Sequence, residues 1–253
     1  MCDGWSDTKR RPLMNVLVSC CLGSTFLKSI DGSAVAHTAE YIYEQLKSAI
    51  EMVGSMNVVA VITDNASNCK AAGALVESEY PLISWVPCAS HSIDLLIEDV
   101  GDIPWVHEVV KKAEFMVNFV TRKQRALGIY RANSDAELAK PASTRFAYLF
   151  IVLQKLIKCK RGLRRMITDD RWLAWSGSRT EKGMRFEELI HEAVFWHNAE
   201  SIVAFMEPLI VALRLSDSEG CTMGIIYEFM DKVGAAFNTC TLFDDNRYAF
   251  KHL

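Results

Sequence analysis

Apolar and polar positions alternate in short runs through the first half of the chain and then give way to helical spacing. Met1-Cys-Asp-Gly-Trp-Ser-Asp7 opens as a β segment, and Leu13 to Cys21 with Thr25 to Ile30 read as a β-hairpin around Leu22-Gly23-Ser24. Ala36 to Val53 has the spacing of an amphipathic helix. Val58 to Asn68, VVAVITDNASN, packs β-branched and small apolar residues into a run that ends in an aspartate and turn formers, as a buried strand does when it carries Asp64 at its C-terminal tip. A helix from Ala66 to about Ser78 follows, with Asn65 as candidate cap, then a short strand Ile83 to Pro87 and a helix starting near Ser90. The order is β-β-β-α-β-α-β-α.

Strand patterns stop after residue 145. Helical spacing predicts elements at about Ala147 to Met166, Phe186 to Leu213 and Met223 to Asn238, with a kink or break at Pro208. Arg122 to Thr144 is polar, contains Pro141 and reads as a connector, which divides the chain into an α/β part, 1–145, and a helical part, 146–253. The stripes Trp105, Val106, Val109, Val110, Ala113 and Leu149, Val152, Leu153, Leu156 read as core faces of helices.

Composition agrees: 253 residues with 50% apolar and 23% charged content fill one large or two modest domains with a real core. No apolar run approaches the roughly 18 to 20 residues of a membrane span. The start, with Asp3, Asp7, Lys9, Arg10 and Arg11, lacks the apolar centre of a signal peptide. An intracellular chain with eight reduced cysteines is expected, and without a CxxC pair neither a zinc finger nor a disulfide framework is indicated.

The net charge of −3 conceals an asymmetry, because His107 to Arg185 holds 18 Lys+Arg against 7 Asp+Glu and the rest 10 against 24. The densest part, Lys155 to Arg165, includes Lys158, Lys160, Arg161, Arg164 and Arg165. It suits a phosphate-binding helix face, a nuclear localisation signal or a solvated surface. Trp172 and Trp175 beside Arg171 and Arg179 suit DNA, or equally an interface between helices.

Asp3 and Asp64 are two strand-borne carboxylates, the minimum for divalent-metal phosphoryl transfer. The lesser alternative is that Asp64 caps the following helix, with Asn65 or Ser67 sharing the task. Cys88 and His91 have the spacing of half a zinc site, but no second pair lies nearby, so core packing for Cys88 and a polar contact for His91 are the better reading. No Gly-x-Gly-x-x-Gly or Walker loop is present, which turns the reading away from a dinucleotide-binding fold and towards a mixed-sheet, ribonuclease H-like α/β core followed by an all-α region.

Asp3-Gly-Trp-Ser-Asp7, Asn15, Phe26-Leu-Lys-Ser-Ile-Asp31, Val61-Ile-Thr-Asp-Asn-Ala-Ser-Asn68, Cys88-Ala-Ser-His-Ser-Ile-Asp-Leu95, Thr144-Arg-Phe146, Glu207-Pro-Leu and Leu213-Arg-Leu-Ser-Asp217 recur in this order in plant proteins related to hAT-superfamily transposases. The chain resembles them over nearly its whole length. The resemblance implies a ribonuclease H-like core interrupted by a helical insertion, which in active relatives cuts and joins DNA with two aspartates and a glutamate. Carried over by position, Asp3 and Asp64 are the two aspartates and the ligands of Mg2+, Cys88 and His91 lie near the active centre, and Arg145 with Phe146 lies near the DNA path.

Two departures shape the expectation. Only Met1 and Cys2 precede Asp3, so the first strand is expected to be truncated, and the glutamate that follows the insertion in the family has no matching motif. Glu228, Asp231, Asp244 and Asp245 are nearby acids outside such a motif. The dimerisation region and the DNA-binding zinc finger of relatives are likewise not matched. The expectation is therefore a nuclear, transposase-derived protein or fragment that binds DNA through its basic middle without cutting it, with a protein partner or a second copy as further binding partners and no membrane partner. The alternative is part of an active, metal-dependent transposase.

Overall fold

A computed structural model describes the chain apart from residues 7–8, 10, 34, 140–145, 219–222 and 240–253. Arg145, Asp244 and Asp245 lie outside the described residues. The chain divides into two compact units, one built on Met1–Ile93 and the other chiefly on Asp94–Ser216.

The first unit begins with an antiparallel meander of β1 (Cys2–Ser6), β2 (Pro12–Cys20) and β3 (Gly23–Asp31), with β2 central. β1 pairs along its full length, from Cys2 opposite Val16 to Ser6 opposite Pro12. A register shift between Val16 and Leu17 bends the hairpin. Alternation buries Cys2, Met14 and Val16 on one face, where they meet α1 (Ala39–Val53) and α2 (Ser67–Glu79).

Helix α1 starts where Thr38 accepts the Tyr41 N–H, buries Ile42, Leu46, Ala49 and Ile50 at helical spacing, and stops at Gly54, whose φ of +88° suits a residue without Cβ. The start at Ala39 is three residues later than the Ala36 expected, because Thr38 supplies the cap. Tyr43 and Lys47 of α1 both bind Glu79 of α2, the lysine at 2.8 Å.

Parallel strands β4 (Ala60–Thr63) and β5 (Ser84–Pro87) flank α2 in sequence, and α3 (Ala89–Asp102) follows. The element order is the one the alternation predicts. β1 packs beside β4 without ladder bonds between them, so the strands form a three-stranded and a two-stranded sheet. Asn65 does not cap α2: the N-cap is Ala66, with no side-chain bond. Gly73 of α2 lies against Trp85 of β5 so closely that a Cβ would sit 2.2 Å from the indole.

The second unit is helical: α4 (Pro104–Thr121), α5 (Gln124–Asn133), α6 (Phe146–Ile167), α7 (Asp170–Leu173), α8 (Glu181–His191), α9 (Ala193–Ser216) and α10 (Met223–Thr239). α4 is the hub, packing on α5, α6, α8 and α9 through Val106, Val109, Ala113, Met116, Val117, Phe119 and Val120.

Three expectations are corrected here. The supposed connector contains α5, which buries Ala126, Ile129 and Tyr130. The single helix from Phe186 to Leu213 is two, separated by extended backbone at Glu192, whose carboxylate is held by Lys112 at 2.6 Å. α9 then runs through Pro208 without a break, because Phe205, Met206, Leu209 and Ile210 on both sides of it are buried.

Candidate functional site

Two separate regions carry the residues that the sequence singles out, one in each unit. In the first, Asp64 stands just past β4 and its surroundings are tied down by a chain of hydrogen bonds. The Trp85 indole N–H donates to the Thr63 hydroxyl at 3.0 Å, and that hydroxyl donates to the Asp64 carbonyl at 2.8 Å. Thr63 is buried, and both its donor and acceptor capacities are used. The Cys88 N–H donates to the Thr63 carbonyl at 2.8 Å, which sets the Cys88–His91 turn next to the tip that carries Asp64.

The Asp64 carboxylate is itself engaged. It accepts the Ala66 N–H at 3.0 Å, closing the turn that leads into α2. The Cys69 thiol lies near it, and burial first and the Asp64 carboxylate second push that thiol up to about 12. Part of the role of Asp64 is thus the turn-forming one that its position before a helix suggests.

Beside Asp64 lies a cavity of about 100 Å3 lined by Cys2, Gly4, His37, Asn68 and Cys69, with Met14 and Ile42. The His37 Nε2 is buried there and has no hydrogen-bond partner among the described residues, and burial pushes the Cys2 thiol up to about 11. Sequence reasoning missed His37 and Cys69. Cys69 sits five residues beyond Asp64, in the first turn of α2, and that spacing is the only signal that points to it.

Asp3 is exposed, whereas its neighbours Cys2 and Gly4 line the cavity. Strand alternation therefore turns the Asp3 side chain to the other face of β1. The charges of Asp64 and Asp3 both reach Cys2, where each opposes thiol ionisation after the dominant effect of burial. Asp3 and Asp64 thus lie in one neighbourhood, but their carboxylates do not share the cavity. Among the described residues no three histidine, cysteine, aspartate or glutamate side chains form a group that holds a metal. Mg2+ takes oxygen ligands, and beyond the Asp64 carboxylate and the Asn68 carboxamide the lining side chains offer thiols and an imidazole, a donor set poor in oxygen for that ion.

The second region is α6. Val152, Leu153, Leu156, Cys159, Leu163 and Met166 are buried on one side of it, while Lys155, Lys158, Arg161, Arg164 and Arg165 are exposed on the other. None of these five makes an ion pair among the described residues. Lys160 differs: its ammonium lies 2.8 Å from Glu200 and 4.9 Å from the centroid of Trp196, both on α9. Phe146 opens α6.

Trp172 is not available to a nucleic acid. It is fully buried, donates its indole N–H to Glu187 and packs edge-on to Phe119 at 6.1 Å. The interface reading of this tryptophan is the correct one, because α7 inserts it between α4 and α8. Arg171 in turn is held by Asp169, with nitrogen to oxygen at 2.6 Å.

Residues 1–116 match the family model described as a domain of unknown function, DUF659, which is found in hAT-like transposase-related proteins. The matched segment contains Asp3, Asp64, Cys88 and His91 and ends within α4. No curated protein matches the chain. Among the described residues no helix is long and apolar enough to cross a membrane.

Proposed function

We propose that this chain is a transposase-derived DNA-binding module that grips duplex DNA through α6 and does not cut it. The observation that carries the reading is the row Lys155, Lys158, Arg161, Arg164 and Arg165, without an ion pair among the described residues, on the exposed side of a helix whose other side is core. Such a row repeats along an axis, as phosphates repeat along a duplex, and it gains free energy by releasing counterions. Lys160 contributes little, because binding DNA would first require its release from Glu200. A nuclear location follows from such a role.

The first unit fits the ribonuclease H-like reading in its element order and in the approach of β1 to β4. That reading supports descent from a catalytic core. The engagement of Asp64 with Ala66 and Cys69 and the outward turn of Asp3 favour loss of the reaction. The catalytic alternative rests on the approach of β1, which carries Asp3, to β4, which leads into Asp64. Under that alternative Asp3 and Asp64 would be the Mg2+ ligands.

Fluorescence anisotropy with a labelled duplex of about 20 base pairs, between about 50 and 200 mM salt, tests the binding. Wild type is expected to bind with a steep salt slope, and a Lys158→Ala, Arg161→Ala, Arg164→Ala, Arg165→Ala variant to flatten it by roughly 0.9 for each phosphate that α6 ceases to neutralise. An unchanged slope, or no binding at low salt, removes α6 as the DNA-gripping element.

A further inference from the structure

A second basic cluster lies in the helical unit away from the α6 row. Lys123, which follows α4, holds its ammonium 3.8 Å from the centroid of Phe119 and 5.5 Å from that of Trp175. Arg185 on α8 lies 4.8 Å from the centroid of Phe115. Lys182, also on α8, is exposed and close enough for its charge to act on Lys123. None of the three cations makes an ion pair among the described residues.

This arrangement is unfavourable as it stands. Burial of Lys123 lowers its pKa, and the neighbouring Lys182 lowers it further. Ring faces offset part of the lost hydration, but they do nothing for repulsion between two ammonium groups. An anion seated between Lys123 and Lys182 would relieve both costs. The aromatic floor holds Lys123 in place in advance, so less side-chain freedom is lost on binding.

We propose that Lys123, Lys182 and Arg185 form a second phosphate-binding surface of this protein, one that engages the backbone of a nucleic acid independently of α6. A nucleic acid fits better than a lone phosphate because the three cations stand on two separate elements, at the start of α5 and on α8, and exposed Arg122, Arg125 and Arg179 flank them in sequence. Three cations carry more charge than one phosphate group can neutralise. The half-buried Trp175, which contacts Lys123, provides an optical reporter.

The test uses the full chain carrying the four α6 alanines, so that any remaining affinity for the labelled duplex comes from elsewhere. Adding Lys182→Glu and Arg185→Glu, both on exposed side chains, is expected to weaken that residual binding at least tenfold at low salt and to lower the salt slope by about two. Lys182→Gln with Arg185→Gln is expected to give the same direction with a smaller effect and guards against misfolding by charge reversal, checked by circular dichroism. Duplex binding should quench tryptophan emission in the parent and much less in a Trp175→Phe variant. Residual binding that ignores both pairs of substitutions overturns the proposal. So does competition by inorganic phosphate, at matched ionic strength, that is as strong as competition by unlabelled duplex, since the site would then take a small anion. If the α6 alanines leave affinity at the wild-type level while the Lys182 and Arg185 changes remove it, the α6 reading fails and this one stands.

Discussion

The Asp64 carboxylate at the tip of β4 acts on the Cys69 thiol in the first turn of α2, second only to burial in keeping that thiol protonated. Together they raise the Cys69 thiol to about 12 against an ordinary 9.0, and burial raises Cys2 to about 11. A group whose folded pKa is raised contributes stability that is fully present below the unfolded value and is lost as pH rises through the folded one. Stability should therefore fall between about pH 9 and 12. Urea midpoints measured from pH 8 upward should drop more steeply for wild type than for Cys69→Ser, and parallel curves would rule out the coupling.

The close approach of Gly73 to Trp85 gives a matched pair of substitutions. Gly73→Ala drives a methyl into the indole and disturbs the donor that Trp85 offers Thr63. It should cost about 1–3 kcal/mol by denaturant titration. Gly128→Ala, on the exposed side of α5 with open space around its Cβ position, should stabilise by about 0.5–1 kcal/mol. A neutral Gly73→Ala would mean that the two elements are not packed as described.

Lys160 separates structure from binding within one helix. Its ties to Glu200 and Trp196 join α6 to α9, whereas Arg161 beside it projects into solvent. Lys160→Ala should lower stability by about 1 kcal/mol, from a partly exposed ion pair and a cation–π contact together, and leave duplex affinity nearly unchanged. Arg161→Ala should do the reverse. Equal weakening of affinity by both would show that the row is not selected by exposure.

Asp169 gives the acid-side counterpart. Its carboxylate accepts the Arg171 guanidinium, the Asn133 amide and the Arg171 N–H, which together hold its pKa well below the usual carboxylate range. A depressed pKa contributes stability above the unfolded value, near 3.8, that is lost as pH falls below it. Asp169→Ala should therefore lower the urea midpoint at pH 7, and by progressively less as pH falls from about 4 towards 2.

These pairs also show what a sequence can and cannot reveal. The strand–helix order of the first unit was legible because alternation, Gly54 and the apolar run before Asp64 are local signals. The break at Glu192 was not, since neither Glu192 nor Ala193 is a helix breaker and the partner that holds Glu192, Lys112, lies eighty residues away. α5 was hidden by its polar composition, which conceals three buried residues on one side. The tip position of Asp64 could be read from its neighbours. The outward turn of Asp3 could not, because it depends on which face of β1 meets α1 and α2. Lys160 resembles the other cations of α6 until Glu200 and Trp196 arrive from another helix.

Catalysis provides the last test, and the geometry around Asp64 sets its outcome. A two-metal centre needs several carboxylates converging on ions about 3.5–4 Å apart. Here Asp64 accepts the Ala66 N–H, and beyond Asp64 and Asn68 the cavity beside it offers sulfur and imidazole. Asp3 sits across β1 from that cavity. Binding a hard cation would require both aspartates to leave these arrangements, and the thiols give it no replacement ligands. The 253-residue chain is therefore expected neither to nick nor to join DNA. Purified protein should be incubated with supercoiled plasmid and with a labelled hairpin duplex, first in magnesium and then in manganese, beside an Asp64→Ala variant of matched stability. No product in either metal is the expected result. Cleavage by wild type that disappears in Asp64→Ala would establish the transposase alternative, with Asp64 turning away from Cys69 to reach the metal.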